Sequence, residues 1–234
     1  MKIKKLKERE FISKVDDNIN IYFSTALNNI NYKKDTIDGK ENIKKLNELF
    51  NLQKIYYLNQ THSDIVIDAT CEEFYGDKDG DSIITKNKNL AIGVFTADCV
   101  PVIIYDKEKL VVAAVHSGWK GTFNEIVKKT CFIMKDKYNC ESLNIIIGPH
   151  IKSCCYEVSD ELQQKFIEKF GEDVCNNRML NLENCIKNEL EKISFIKCIE
   201  SVNVCTYCNS DLEMHSYRKL KEKAGRLFSF IFIK

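Results

Sequence analysis

Residues 82–115 hold four apolar, β-prone runs in succession, SIIT, LAIGVFT, VPVIIY and LVVAAV, with nothing helical between them. Short runs rich in Val and Ile and bounded by polar or turn residues read as buried strands, here 82–85, 90–96, 100–105 and 110–115. A regular βαβ winding needs a helix-length crossover between parallel neighbours, and this stretch leaves no room for one. Helical periodicity lies outside it. Ile43, Leu46, Leu49 and Phe50 mark one helix, with Asp38 as its expected cap. Residues 122–137 carry Phe123, Ile126, Val127, Thr130 and Met134 on one face. Ser159 is placed to cap a helix ending at Gly171, and residues 182–193 form another. Shorter strands are expected at 21–23, 55–58, 65–67, 144–147, 195–204 and 227–233. Strands in groups, with helices between the groups, predict an α+β layering.

Three polar residues stand where apolar runs give way to turns: His62 in YYLNQTHSDIV, Cys99 in AIGVFTADCVPVIIYD and His116 in VVAAVHSGWKGTF. Imidazole and thiolate donors suit zinc or copper better than magnesium or calcium. Three protein ligands leave a fourth tetrahedral position for water or substrate, as in a catalytic site. The same residues admit a second reading, with Cys99 as nucleophile and His116 as its base, which leaves His62 without a part. Asp98, beside Cys99, is either a group that orients the site, a general acid–base residue or a turn residue. In HSGWKG a strand runs into a helix; Gly118 and Gly121 allow close backbone approach and Lys120 supplies charge. These are ingredients of a phosphate cradle, although the spacing is not that of a P-loop. Trp119, the only tryptophan, either stacks on a ring or anchors the turn. His150 lines a pocket or closes the turn after Pro149. The acidic run at 77–81 has the composition of a calcium loop but not its register, and a solvated turn is expected there.

The chain has 234 residues, two prolines and no low-complexity tract, so one domain over 1–234 is expected. Basic and acidic residues number 35 and 34, a net charge of +1, which supplies no field toward nucleic acid or an anionic membrane. No apolar stretch approaches the roughly 20 residues of a membrane span. The opening MKIKKLKERE lacks the apolar core of a signal peptide, so a cytoplasmic protein is expected. The eleven cysteines then read as mostly free thiols rather than a disulfide framework. Cys205 and Cys208 form CTYC, half of a zinc or redox motif; the adjacent Cys154 and Cys155 replace the missing half only in a special geometry. Arginine occurs only at Arg9, Arg178, Arg218 and Arg226, which singles out Arg218 and Arg226 as candidates for binding an anion.

The segments QTHSDIV, GDSIITKNKNLAIGVFTADCVPVIIYD, VVAAVHSGWKGTFNEIV, IIIGPHIKSCCYEV and SYRKLKEKAGRLFSFI occur in this order. Together they resemble the YfiH-like family, also called laccase-domain or multicopper polyphenol oxidase, whose members are also described as purine nucleoside phosphorylases. The resemblance covers most of the chain from Gln60 onward. It departs at IYFSTALNNINYKK, where no arginine and paired glycines follow Phe23 and Ser24, and at Met214 and His215, which stand where paired phenylalanines are usual. The resemblance implies a single-domain α+β sandwich, two mixed β-sheets flanked by helices in the order α/β/β/α. It also implies metal binding by His62, Cys99 and His116, with zinc favoured over copper. The implied activity is phosphorolysis of adenosine, inosine or methylthioadenosine, with Asp98 catalytic and Lys120 and Arg218 holding phosphate. Adenosine deamination is an implied side activity. The alternatives from the same resemblance are a Cys–His amidase editing cell-wall precursors and a copper-dependent polyphenol oxidase. Four histidines are too few for the several centres of a true multicopper oxidase.

Overall fold

The computed structural model describes residues 1–70 and 78–234. The elements in chain order begin with β1 (Lys2–Leu6), β2 (Arg9–Asp16), β3 (Ile19–Ser24), α1 (Ile37–Phe50), β4 (Lys54–Tyr56) and β5 (Val66–Asp68). The run of strands follows as β6 (Ser82–Thr85), β7 (Leu90–Thr96), β8 (Val100–Asp106) and β9 (Val111–Ser117). Then come α2 (Trp119–Phe123), α3 (Ile126–Tyr138), β10 (Leu143–Ile147), α4 (Asp160–Phe170), β11 (Cys175–Asn176) and β12 (Met179–Leu180). The chain continues with α5 (Leu182–Leu190), β13 (Ile196–Ser201), α6 (Tyr217–Leu220) and β14 (Leu227–Ile233).

Two mixed six-stranded sheets result, in the orders β1-β2-β3-β14-β7-β4 and β13-β10-β8-β9-β6-β5. The four consecutive strands do not stay in one sheet. β7 joins the first sheet beside β14, while β6, β8 and β9 belong to the second. Both faces of each sheet are covered, which explains why these strands are apolar throughout rather than alternating. The inner faces meet through Ile21, Ile92, Ile231 and Ile233 on one side and Ile83, Ile103, Val112 and Ile146 on the other.

The period of two is plain in β14. Ile231 and Ile233 enter the layer between the sheets, whereas Phe228, Phe230 and Phe232 point outward onto Ile43, Leu46 and Phe50 of α1. Phe50 meets Phe230 edge-on at 5.3 Å between ring centroids, a favoured aromatic geometry. On the far side of the second sheet, Val102, Ile104, Ala113 and Val115 pack under α3, α4 and α5. The layers are therefore α/β/β/α in one α+β domain, as the resemblance implied.

Several local expectations need correction. The strands β1 and β2 were not anticipated; they form a hairpin with β3 through a turn at Asp17, which takes φ 54°. Thr36, not Asp38, caps α1, its side chain accepting from the Gly39 amide at 3.1 Å. The helix expected at 122–137 is two helices, broken where Glu125 adopts φ 59°. Ser159 caps α4 and Gly171 ends it, as the sequence indicated. Among the described residues, no helix is long and apolar enough to cross a membrane.

Candidate metal centre and active-site cleft

His62 sits in the turn after β4, Cys99 at the entry to β8 and His116 near the end of β9. Their donor atoms all lie within 4.8 Å of one another. The Cys99 Sγ is 3.8 Å from His62 Nε2, and the two imidazoles stand edge-to-face with centroids 4.9 Å apart. Gly118 leaves the space between them open. A Cβ there would fall 3.0 Å from His62 Cδ2 and 3.1 Å from Cys99 Sγ. Two imidazoles and a thiolate on separate segments, converging on one point, fit a zinc or copper ion.

A single buried carboxylate organises this triad. Asp81 accepts from His116 Nδ1 at 2.7 Å, leaving Nε2 as the nitrogen available to a metal. It also accepts from the His62 amide at 3.1 Å, the Thr61 amide at 3.2 Å, and the Ser63 amide and hydroxyl at 2.6 and 2.7 Å. Those bonds hold the His62 turn, where the histidine itself takes φ 58°. Burial alone would raise the Asp81 carboxyl, but the bonds from His116 and Ser63 outweigh it and hold it at about 2. The expectation of a solvated acidic turn is thus corrected at its last residue: Asp81 is fully buried. Asp77 lies outside the described residues. Burial likewise opposes ionisation of Cys99, yet the flanking His116 and His62 lower the thiol. The Cys99 thiolate and Asp81 in turn raise His116 against its own burial.

The triad forms the floor of a cleft of about 850 Å³. Asp98 lines it in a turn with φ 92°, a conformation rare for non-glycine residues and held here by side-chain bonds. Its Oδ1 accepts from the Thr206 hydroxyl and its Oδ2 from the Arg218 amide, both at 2.6 Å. Both oxygens are therefore engaged. Arg218 also lines the cleft, its guanidinium 5.3 Å from the Tyr156 ring centroid and donating to the Glu157 carbonyl at 3.0 Å. Lys120 is not brought into the lining; its ammonium lies 5.6 Å from the centroid of the neighbouring Trp119 ring, and Trp119 does line the cleft.

Arg226, singled out with Arg218 in the sequence, also lines the cleft, and Lys33 and Lys221 supply further cationic lining that sequence reasoning did not pick out. Lys33 lies in the segment where the family pattern fails, so this chain fills that wall with lysine. His150 and His215 lie elsewhere. His150 Nδ1 donates to the Gly148 carbonyl at 2.9 Å, and His215 Nε2 donates to the Ile30 carbonyl at 3.0 Å.

Residues 22–234 match the family model described as "Multi-copper polyphenol oxidoreductase laccase". A purine nucleoside phosphorylase of Clostridium acetobutylicum is 43% identical over 239 aligned residues, covering 99% of each chain. One from Borreliella burgdorferi is 34% identical over 177 residues, covering 73% of this chain and 76% of its own. The hypothetical protein YfiH of Bacillus licheniformis superposes with a TM-score of 0.86 at 24% identity, covering 99% of both chains. A Neisseria meningitidis protein superposes with a TM-score of 0.82 at 22% identity, covering 96% of this chain and 99% of that one. These two structures speak to the fold alone. With the family model spanning nearly the whole chain and a full-length relative at this identity, the chain belongs to the YfiH-like family of multi-copper polyphenol oxidoreductase laccase domains.

Proposed function

We propose that this chain is a zinc-dependent purine nucleoside phosphorylase acting on adenosine, inosine or methylthioadenosine. The observation that carries the reading is the meeting of His62, Cys99 and His116 on the floor of a cleft whose walls carry Lys33, Lys221, Arg218 and Arg226. The names borne by the full-length relative and by the Borreliella burgdorferi one support the substrate class. His62, Cys99 and His116 would hold the zinc, which when bound supplies Lewis acidity beside the substrate.

The remaining work falls to the chain's own residues. Arg218, with the other cations of the cleft, holds phosphate by charge-assisted hydrogen bonds. Tyr156 and Trp119 offer ring faces to the purine. A phosphate oxygen forms a bond to ribose C1′ as the C1′–N9 bond breaks. The electron pair leaves with the base, which takes up a proton, and ribose 1-phosphate, or its methylthio analogue from methylthioadenosine, is released. Because both Asp98 oxygens are engaged, its part in this scheme is to position Arg218 and the Thr206 loop rather than to carry the proton. With water in place of phosphate, attack at purine C6 and loss of ammonia make adenosine deamination the side activity. The reading places the enzyme in the cytoplasm, where thiolate ligands stay reduced.

A second reading has its own observation. Cys99 Sγ lies within 4.8 Å of a His116 ring nitrogen and Asp81 accepts from His116 Nδ1 at 2.7 Å, a set of nucleophile, base and orienting carboxylate that suits a cysteine amidase acting on a cell-wall precursor. A copper polyphenol oxidase has less support, since only two of the four histidines reach the site.

The purified protein should release free base from the three nucleosides only with phosphate present. It should lose that activity to a chelator and regain it with zinc; amidase activity that survives chelation would select the second reading. Arg218→Ala should raise the KM for phosphate at least about tenfold with zinc content intact, from the 1.5–3 kcal/mol typical of a charged hydrogen bond. Lys120→Ala should change it less, and the reverse order would return the phosphate to HSGWKG.

A further inference from the structure

The described residues contain a second cluster of soft donors, away from the triad. Cys154, Cys155, Cys205 and Cys208 bring their four Sγ atoms within 4.8 Å of one another. Two loops meet to make it. After β10, the turn at Lys152 folds back so that the Cys155 and Tyr156 amides donate to its carbonyl at 2.9 and 3.0 Å. That turn is the special geometry that lets adjacent cysteines face one centre. After β13, the CTYC segment turns so that the Asn209 amide reaches the Cys205 carbonyl at 3.2 Å. Backbone bonds fix the loops to each other: the His150 amide donates to the Val204 carbonyl at 3.2 Å, and the Thr206 amide to the His150 carbonyl at 3.0 Å.

We propose that Cys154, Cys155, Cys205 and Cys208 form a closed, four-thiolate structural zinc site distinct from the His62–Cys99–His116 centre. Zinc–sulfur bonds of about 2.3 Å in a tetrahedron set the sulfurs about 3.8 Å apart. The Cys154 and Cys208 sulfurs are 3.6 Å apart, close to that edge and well beyond the roughly 2.05 Å of a disulfide.

Binding displaces the thiol protons to solvent and forms four zinc–sulfur bonds, with no change of oxidation state. With all four positions filled by protein, the ion has no place for substrate and fastens loops instead. Those loops form one wall of the cleft, since Ile151 and Tyr156 line it and Thr206 holds Asp98.

Zinc is counted by elemental analysis of the full chain expressed with zinc and purified under reducing conditions. Two equivalents are expected for the unaltered chain. One is expected for Cys99→Ser and one for the double variant Cys154→Ser/Cys208→Ser, both of whose replaced side chains are exposed. The equivalent kept by the double variant shows that it folds and separates this site from the catalytic one. Cobalt loaded into Cys99→Ser provides an independent readout, because four thiolates give strong sulfur-to-cobalt charge-transfer absorption. That band should vanish when Cys154→Ser/Cys208→Ser is added. Equal zinc in the unaltered chain and the double variant would overturn the proposal, as would a Cys154–Cys208 disulfide in zinc-free protein isolated anaerobically.

Discussion

Thr61, His62, Ser63 and His116 all donate to the Asp81 carboxylate, so one side chain sets the direction of two of the three proposed ligands. Asp81→Asn keeps the size but replaces an acceptor by an amide and removes the charge facing His116. Zinc affinity should fall about 10- to 100-fold, the usual cost of losing a carboxylate behind a ligating histidine. Competition against a chromophoric chelator measures it, and unchanged affinity would mean that His116 is oriented by other groups. The three converging residues were legible in the sequence because donor residues at the ends of apolar runs are a strong local pattern. Asp81 was not. It closes the run GDKDGD, whose composition argues for solvent, and its burial arises from the long-range pairing of β6 with β9.

The helix α5 carries Glu189, whose surroundings make its charge costly. Burial, reinforced by the nearby Glu125, raises its carboxyl from the ordinary 4.5 to about 8. Because the folded value lies above the unfolded one, the group's contribution to stability is fully present below about 4.5. It is lost as pH rises toward 8. Glu189→Gln resembles the protonated form at every pH. Between pH 5 and pH 9 the variant should therefore gain on the parent chain by up to about 4 kcal/mol in urea unfolding. Parallel stabilities at the two pH values would refute this. The helices were visible in the sequence from periodicity and caps, but the break at Glu125 was not. Apolar residues continue on one face across it, so the pattern alone gives no sign of the left-handed residue.

For the molecule as a whole, the sequence supported α+β layering and the resemblance supplied two sheets, while the sorting of strands between them came only from the structure. Strands buried on both faces carry little alternation to say which layer they join. The hairpin of β1 and β2 escaped because its lysines mask a strand at the sheet edge. The two strands differ in what they contribute. β1 is largely exposed, whereas Phe11 and Ile12 of β2 are buried. Removing residues 1–7 should cost about 1 kcal/mol or less. Removing residues 1–16 should cost at least 3–5 kcal/mol, the scale of deleting a buried phenylalanine. Thermal unfolding of the two truncations tests this, and equal losses would show that β2 adds nothing beyond β1.

β14 lies between β3 and β7 in the first sheet, with Phe230 opposite both Tyr22 and Gly93. On the ribosome those two neighbours emerge more than a hundred residues before the strand that joins them. Until residues 227–233 clear the exit tunnel, the growing chain must carry two unpaired edges, either of which can capture a neighbouring nascent chain. The donors His62, Cys99 and His116 are by then already outside. Cells making this protein quickly should therefore lose yield first to aggregation of chains that have not yet made residues 227–233, at the step before the central strand is inserted.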